Sequence, residues 1–360
     1  MKSSGNKKLE RVRIGDRLVG EGEPCLIIAE VGVNHNGDVT LARKLIDVAK
    51  DTGADAVKFQ TFDAEALVTR NASKAGYQKE TTGAEESQFD MLKRLELTED
   101  DFIGLFDYAR EQGLVFLSSA FDNGSVELLN RLGVIAFKVP SGEITNFPLL
   151  KYIARKKKPV ILSTGMSTMS EVEEALEIFR NDGLTDIILL HCVTSYPAEV
   201  EEINLKAMTT LRNAFDLPVG LSDHTLGITV PIAAVAMGAC IIEKHFTLDK
   251  SLPGPDQRAS LEPQELKEMV KAIRDVEEAL GDGVKRPTEE EEENKLAARR
   301  SIVARMDIPE GTIITEEMLT VKRPGTGLEP KYLEKIVGKV AREAIEQGES
   351  VALSKVGDKI

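Results

Sequence analysis

Tryptophan is absent from this chain of 360 residues, and cysteine and histidine are scarce, with three of one and four of the other. Cys25, Cys192 and Cys240 form an odd set whose spacing fits no zinc motif. Each lies in or beside an apolar run, where a thiol packs as a small hydrophobe, so reduced core thiols are expected. No apolar run is long enough to cross a bilayer. The segment Met1 to Arg13 is charged and lacks the apolar stretch of a signal peptide, which makes a cytoplasmic protein the expectation. A basic stripe is missing too. The formal net charge is −14 with no basic–aromatic pattern, which argues against a nucleic-acid surface. On such a background an anionic substrate needs positive groups gathered inside a pocket.

What is present suffices for a core: 42% of the residues are hydrophobic, and the length suits a large domain plus a small one. Residues 1–24 read as an N-terminal hairpin, because turn residues separate short apolar pieces between Ile14 and Pro24. From there, short runs rich in Val, Ile and Leu alternate with segments of helical period. The runs predict strands at Cys25–Ala29, Ala56–Phe59, Val115–Leu117, Ala136–Val139, Val160–Leu162, Ile187–Leu190, Val219–Leu221 and Ile241–Glu243. Helices are predicted at Thr40–Asp51, Glu99–Glu111, Thr168–Arg180, Ile228–Met237 and Pro263–Leu280, the last bounded by its proline and by Gly281. The expected fold is α/β, a closed (β/α)8 TIM barrel over residues 25–284. Residues 285–300, including the charged run Arg286 to Asn294, read as a linker or an exposed helix start. Residues 301–360 read as a small, mostly β domain with a helix at Tyr332–Ile336 and a strand-like piece at Ser350–Leu353, docked on the barrel or on that of a neighbouring subunit.

In a barrel of this kind the loops after the strands make the catalytic face. Those positions hold Glu30, Lys58, Gln60, Ser118, Ser119, Asp122, Lys138, Ser141, Glu143, Ser163, Thr164, His191, Thr194, Tyr196, Ser222, Asp223, His224, Lys244, His245 and Asp256. All four histidines, His35 included, fall in such segments. His224 and His245 follow neighbouring strands, so their imidazoles are placed to share a metal ion such as Mn, Fe, Co or Zn. The alternative is a pair of hydrogen-bonded structural histidines. Lys58 and Lys138 each follow an apolar strand, where an unpaired ammonium is costly. With Ser141, Ser163, Thr164 and Ser222 they suit a phosphate and a carboxylate on one small molecule, unless Glu30 or Glu143 takes them into structural bridges. Glu30 and Glu143 could serve as general acid or base, or could only orient a lysine.

The segments IAEVGVNHNGD, DAVKFQTF, KVPSGE, ILSTGMS, LLHCVTSYP, GLSDHT, EKHFT and GPDQRASLEP occur in the order found in the sialic acid (N-acetylneuraminate) synthase family, which this chain resembles. The tail, with VKRPGTGL and IVGKVAREAI, resembles the family's C-terminal antifreeze-like SAF domain, a β-clip fold. The resemblance covers nearly everything after residue 25. It implies condensation of phosphoenolpyruvate with N-acetylmannosamine and water to give N-acetylneuraminate and phosphate. The alternative acceptor is 2,4-diacetamido-2,4,6-trideoxymannose, as in an N,N'-diacetyllegionaminate synthase. By position the resemblance implies phosphoenolpyruvate contacts at Lys58, Lys138, Ser141, Ser163 and Ser222. It implies acid/base carboxylates at Glu30 and Glu143, and ligands for a divalent metal, Mn with Mg or Co as alternatives, at His224 and His245. Sugar contacts are implied at Gln60, Tyr196 and Asp256, and Thr194 stands in a stretch where several relatives carry a sugar-reading Asn. Arg323 matches an arginine that reaches the sugar's acyl group from the partner's second domain, which implies a domain-swapped homodimer. Lys285 stands near a position where some members place a sugar-contacting Glu.

Two other classes compete. A Schiff-base aldolase would use Lys58 or Lys138 as nucleophile and ignore chelators. A non-catalytic ice- or sugar-binding protein would act through the tail, but that tail is full of Lys, Arg and Glu and leaves the barrel's polar mouth unexplained.

Overall fold

Eight parallel strands close on themselves in the computed structural model, which describes residues 11–358. The first ten residues, with most of the charged segment Met1 to Arg13, and the last two of the 301–360 segment lie outside the described residues. A hairpin comes first, β1 (Val12–Ile14) antiparallel to β2 (Arg17–Val19). The barrel strands are β3 (Leu26–Gly32), β4 (Ala56–Thr61), β5 (Val115–Ala120), β6 (Phe137–Val139), β7 (Val160–Ser163), β8 (Ile187–Cys192), β9 (Val219–Asp223) and β10 (Ile241–His245). β10 pairs with β3 and closes the ring, with Ile241 opposite Leu26. The predicted TIM barrel is therefore present.

Nearly every strand runs further at its C-terminal end than its apolar run predicted. The hydrophobic signal stops at the first polar residue, whereas the backbone ladder continues. Glu30, Gln60, His191, Ser222, Asp223, Lys244 and His245 thus lie on strands rather than in the loops after them.

Side chains alternate across a strand, so every second residue faces the lumen. Leu26 and Ile28, Ala56, Leu117, Ala136, Ile161, Ile188, Leu190 and Ile241 make an apolar lower layer, joined by Val12, Ile14 and Val19 of the hairpin. The hairpin thereby plugs the bottom of the barrel. Arg17 fastens it, bonding the carbonyls of Pro24 and Cys25 and pairing with Asp55 at 2.6 Å. The outward residues, such as Ile27, Val57, Phe116 and Ile242, form the main core with the surrounding helices. Helix Pro263–Leu280 shows the pattern: it buries Leu266, Met269, Val270 and Ile273 at helical spacing. Its predicted ends match.

The chain divides into compact units at Gly281/Asp282. Within the second unit the acidic run forms a helix, Glu289–Ala298, capped by Thr288 with Glu291 reaching back. Strands β11 (Ser301–Ala304) and β12 (Leu319–Lys322) pair antiparallel, as do β13 (Val340–Ala341) and β14 (Val356–Gly357). Ile302, Ile308, Ile314, Leu319, Ile336, Ile345 and Val351 fill a small separate core. The predicted helix at Tyr332–Ile336 is a single turn, Leu333–Ile336, and Ser350 makes only an isolated bridge to Val303. Among the described residues no helix is long and apolar enough to cross a membrane.

Candidate active site

Above the apolar layer the lumen turns polar because the same alternation continues. Two residues beyond Ile28 stands Glu30; beyond Ala56, Lys58; beyond Leu117, Ser119; beyond Ala136, Lys138; beyond Ile161, Ser163; beyond Ile241, Glu243 and then His245. These side chains line one cavity of about 480 Å³ at the strands' C-terminal ends. Every residue of the first unit to which the family resemblance gives a role lines it, including Gln60, Ser141, Glu143, Thr194, Tyr196, Ser222, His224 and Asp256. Arg323 lies exposed in the second unit, just after β12.

The floor is an alternating set of charges. Lys58 Nζ stands 2.8 Å from Glu30 Oε2 and 3.7 Å from Glu243 Oε2. It also donates to Ser119 Oγ at 3.0 Å. Lys138 Nζ donates to Ser163 Oγ at 2.8 Å and stands 3.7 Å from Glu243 Oε1, which accepts from Ser222 at 2.9 Å. Burial pulls the Lys58 ammonium down, but Glu243 and Glu30 outweigh it and hold its pKa above the ordinary lysine value. Lys138 is lowered, because burial wins there over Glu243. Glu243 stays below the usual glutamate value: burial is outweighed by Lys138 and Lys58. Glu30 is pushed up to about 7 by burial, with Lys58 opposing and Glu243 adding. The two carboxylates thus differ in kind, one held ionised and one titrating near neutrality.

Glu143 reaches the cavity from the turn Ser141–Glu143 after β6 and accepts from Asn146 at 2.7 Å. Half-burial raises its pKa above the usual glutamate value. Ser141 Oγ accepts from Gly165 N at 3.0 Å. A methyl on Gly165 would stand 2.2 Å from Thr194 Oγ1 and 2.7 Å from Ser141 Oγ, so only glycine lets these two approach.

His224 and His245 face each other with ring centroids 5.6 Å apart. His224 Nδ1 donates to the Val193 carbonyl at 2.7 Å, which leaves Nε2 free. His245 Nδ1 is buried without a hydrogen-bond partner, and burial, with His224 and Lys58 nearby, holds this imidazole well below its ordinary pKa. One free nitrogen just after β9 and one orphaned one at the end of β10 fit a shared cation whose other positions stay open. No cluster of three or more His, Cys, Asp or Glu side chains fit to hold a metal occurs among the described residues.

Several strand-following candidates turn away. His191 is outward by parity and bonds the Ile203 carbonyl. His35 is buried, its Nδ1 accepting from Gly37 N at 3.0 Å. The convergence of all four histidines therefore reduces to a pair. Asp223 and Lys244 are outward and pair with each other. Thr164 bonds Leu190 O, Ser118 bonds Thr61, and Asp122 caps the helix Asn123–Leu132. In contrast, Glu243 joins the floor although it reads as the end of an apolar strand. Its signal was parity: it lies two residues from His245 and two from Ile241.

A closed parallel barrel with paired ammonium groups, paired carboxylates and paired imidazoles at its strand ends defines an enzyme built for a small anion. The chain belongs to the NeuB family, whose model matches residues 45–285, and the SAF domain model matches residues 299–356. It is 51% identical over 328 residues to the N,N'-diacetyllegionaminic acid synthase of Campylobacter jejuni, covering 91% of this chain and 98% of that one. It is also 51% identical to the enzyme of the same name from Legionella pneumophila, covering 89% and 91%. The crystal structure of an N-acetylneuraminic acid synthetase from Leptospira borgpetersenii superposes with a TM-score of 0.70 at 36% identity, over 79% of this chain and 95% of that one.

Proposed function

We propose that this enzyme condenses phosphoenolpyruvate with 2,4-diacetamido-2,4,6-trideoxymannose and water, giving N,N'-diacetyllegionaminate and phosphate. The observation that carries the reaction is the floor: two buried ammonium groups ringed by the hydroxyls of Ser119, Ser163 and Ser222, with Ser141 beside them. That donor set matches a phosphate and a carboxylate on a three-carbon molecule. The acceptor is favoured by the likeness to the two legionaminic acid synthases. It displaces N-acetylmannosamine, the first expectation, to second place.

In this reading Lys58, Lys138, Ser141, Ser163 and Ser222 hold phosphoenolpyruvate with its C3 toward the mouth. The sugar aldehyde lies beside His224 and His245, held by Gln60, Thr194, Tyr196 and Asp256. A divalent cation, Mn foremost and Mg or Co after it, would be held by the two imidazoles and would polarise the aldehyde oxygen. C3 bonds to the aldehyde carbon, water adds at C2, and the bond between C2 and the phosphate oxygen breaks. Glu143 is assigned the proton transfers and Glu30 supports it, its carboxyl poised near neutrality. Arg323 of a domain-swapped neighbour would complete the sugar site.

Phosphate release from phosphoenolpyruvate, measured across a hexosamine panel with Mn and with EDTA, tests the reading. The trideoxy sugar should turn over best and chelation should abolish release. Release unaffected by EDTA together with borohydride trapping would support a Schiff-base aldolase instead.

A further inference from the structure

The cavity has a second half that the proposed chemistry does not use, and one wall of it is apolar. Helices Ala64–Leu67 and Gln88–Leu95 lie in the long connection after β4. They bring Leu67, Met91, Leu92 and Leu95 to the cavity, where Val33 and Phe62 complete the wall. The same side chains form an apolar cluster of their own, with Met91 fully buried and Leu92 half-buried. Rings lead from the floor to this connection. Tyr196 lies 4.1 Å from His224, and Tyr77, on helix Gly76–Thr82, stacks on Tyr196 at 4.9 Å. Of the nearby amides, Gln78 Oε1 accepts from Ala75 N at 3.0 Å and from Gln88 Nε2 at 3.4 Å. Lys58 and Lys138 are the only cations lining the cavity among the described residues, and both lie on the floor.

An acceptor whose aldehyde meets the floor carries its far carbons toward that wall. Resting on the proposed condensation, we infer that Val33, Phe62, Leu67, Met91, Leu92 and Leu95 form the subsite for the acceptor's C6 end, and that this subsite selects a methyl group over a hydroxymethyl or a phosphate ester. A methyl there loses only its contact with water, which is favourable. A hydroxyl loses its hydrogen bonds to water and gains none of comparable strength from these six side chains. A phosphate finds no lysine or arginine among these six side chains. The cavity volume is in the range that takes small ligands whole.

The test uses two acceptors differing only at C6: 2-acetamido-2,6-dideoxymannose and N-acetylmannosamine, with N-acetylmannosamine 6-phosphate as a third. The wild type should favour the 6-deoxy sugar in kcat/KM by roughly tenfold to a hundredfold, the discrimination a hydrophobic pocket supplies. The phosphate ester should be the poorest. Leu92→Gln, at a half-buried position, and Met91→Gln, nearly equal in length, should each bring the ratio between the first two sugars close to one. A wild-type ratio near one, or a ratio unmoved in both variants while phosphate is still released, would overturn the subsite. No release with any sugar would instead sink the condensation on which it rests.

Discussion

Lys58 and Glu243 face each other on the barrel floor without a hydrogen bond, Nζ standing 3.7 Å from an Oε2 that has no hydrogen-bond partner. The carboxylate stands in for an anion: it keeps two buried ammonium groups tolerable while the site is empty. Glu243→Gln should therefore destabilise the free enzyme by roughly 2–4 kcal/mol, since removing one partner leaves buried charge uncompensated. Phosphoenolpyruvate should recover more of the unfolding midpoint in the variant than in the wild type. Equal midpoints without ligand would show that Glu243 has no such role.

The imidazole pair can be probed by binding alone. His224→Asn and His245→Asn should each weaken Mn affinity by about a hundredfold or more, read by electron paramagnetic resonance titration with no substrate present. Both variants should keep the unfolding midpoint of the wild type within a few degrees. Unchanged Mn affinity in either would remove that histidine from the cation site.

Gly165 makes a steric prediction. Its substitution by alanine places a methyl 2.2 Å from Thr194 Oγ1 and 2.7 Å from Ser141 Oγ, so both hydroxyls must retreat. The expected cost is about 1–3 kcal/mol, the usual penalty for overpacking. Steady-state kinetics should show KM rising for phosphoenolpyruvate through Ser141 and for the sugar through Thr194. A change confined to thermal stability would separate these hydroxyls from substrate.

His35 gives the fold an acid limb. Burial lowers its pKa from about 6.5 to about 4, so the folded chain refuses a proton that the unfolded chain accepts. Stability from this residue is complete above pH 6.5 and is lost as pH falls toward 4, by up to roughly 3 kcal/mol. His35→Asn removes that titration. Its deficit relative to wild type in denaturant unfolding of the barrel should shrink from pH 7 to pH 4.5. A deficit independent of pH would contradict the assignment.

Much of the fold was legible, because apolar runs alternating with helical segments leave few architectures for parallel strands. The helix Pro263–Leu280 was readable to the residue from its proline and its glycine. Strand ends were not, because hydrophobicity fades where the lumen becomes a site while backbone pairing goes on. That is also why the candidate list was too broad. Asp223, Lys244 and His191 are as polar as Ser222, Glu243 and His245, and only the alternation, counted from Leu190 or Ile241, separates outward residues from inward ones. Helix Gly76–Thr82 buries only Gln78 and so offers no apolar period, whereas Gln88–Leu95 buries Phe89, Met91 and Leu95 but shows that period over only eight residues.

The hairpin plug described above has a further consequence for traffic. With Val12, Ile14 and Val19 packed into the lower apolar layer, the described residues close the lumen beneath the cavity, and the lysines are reached from the strands' C-terminal side. On the proposed function, a molecule resting on the lysines would be roofed by whatever next occupied the mouth, so the first to enter would be the last able to leave. Queueing of that kind would come from aliphatic side chains of the hairpin and the lower strand layer, well below the floor.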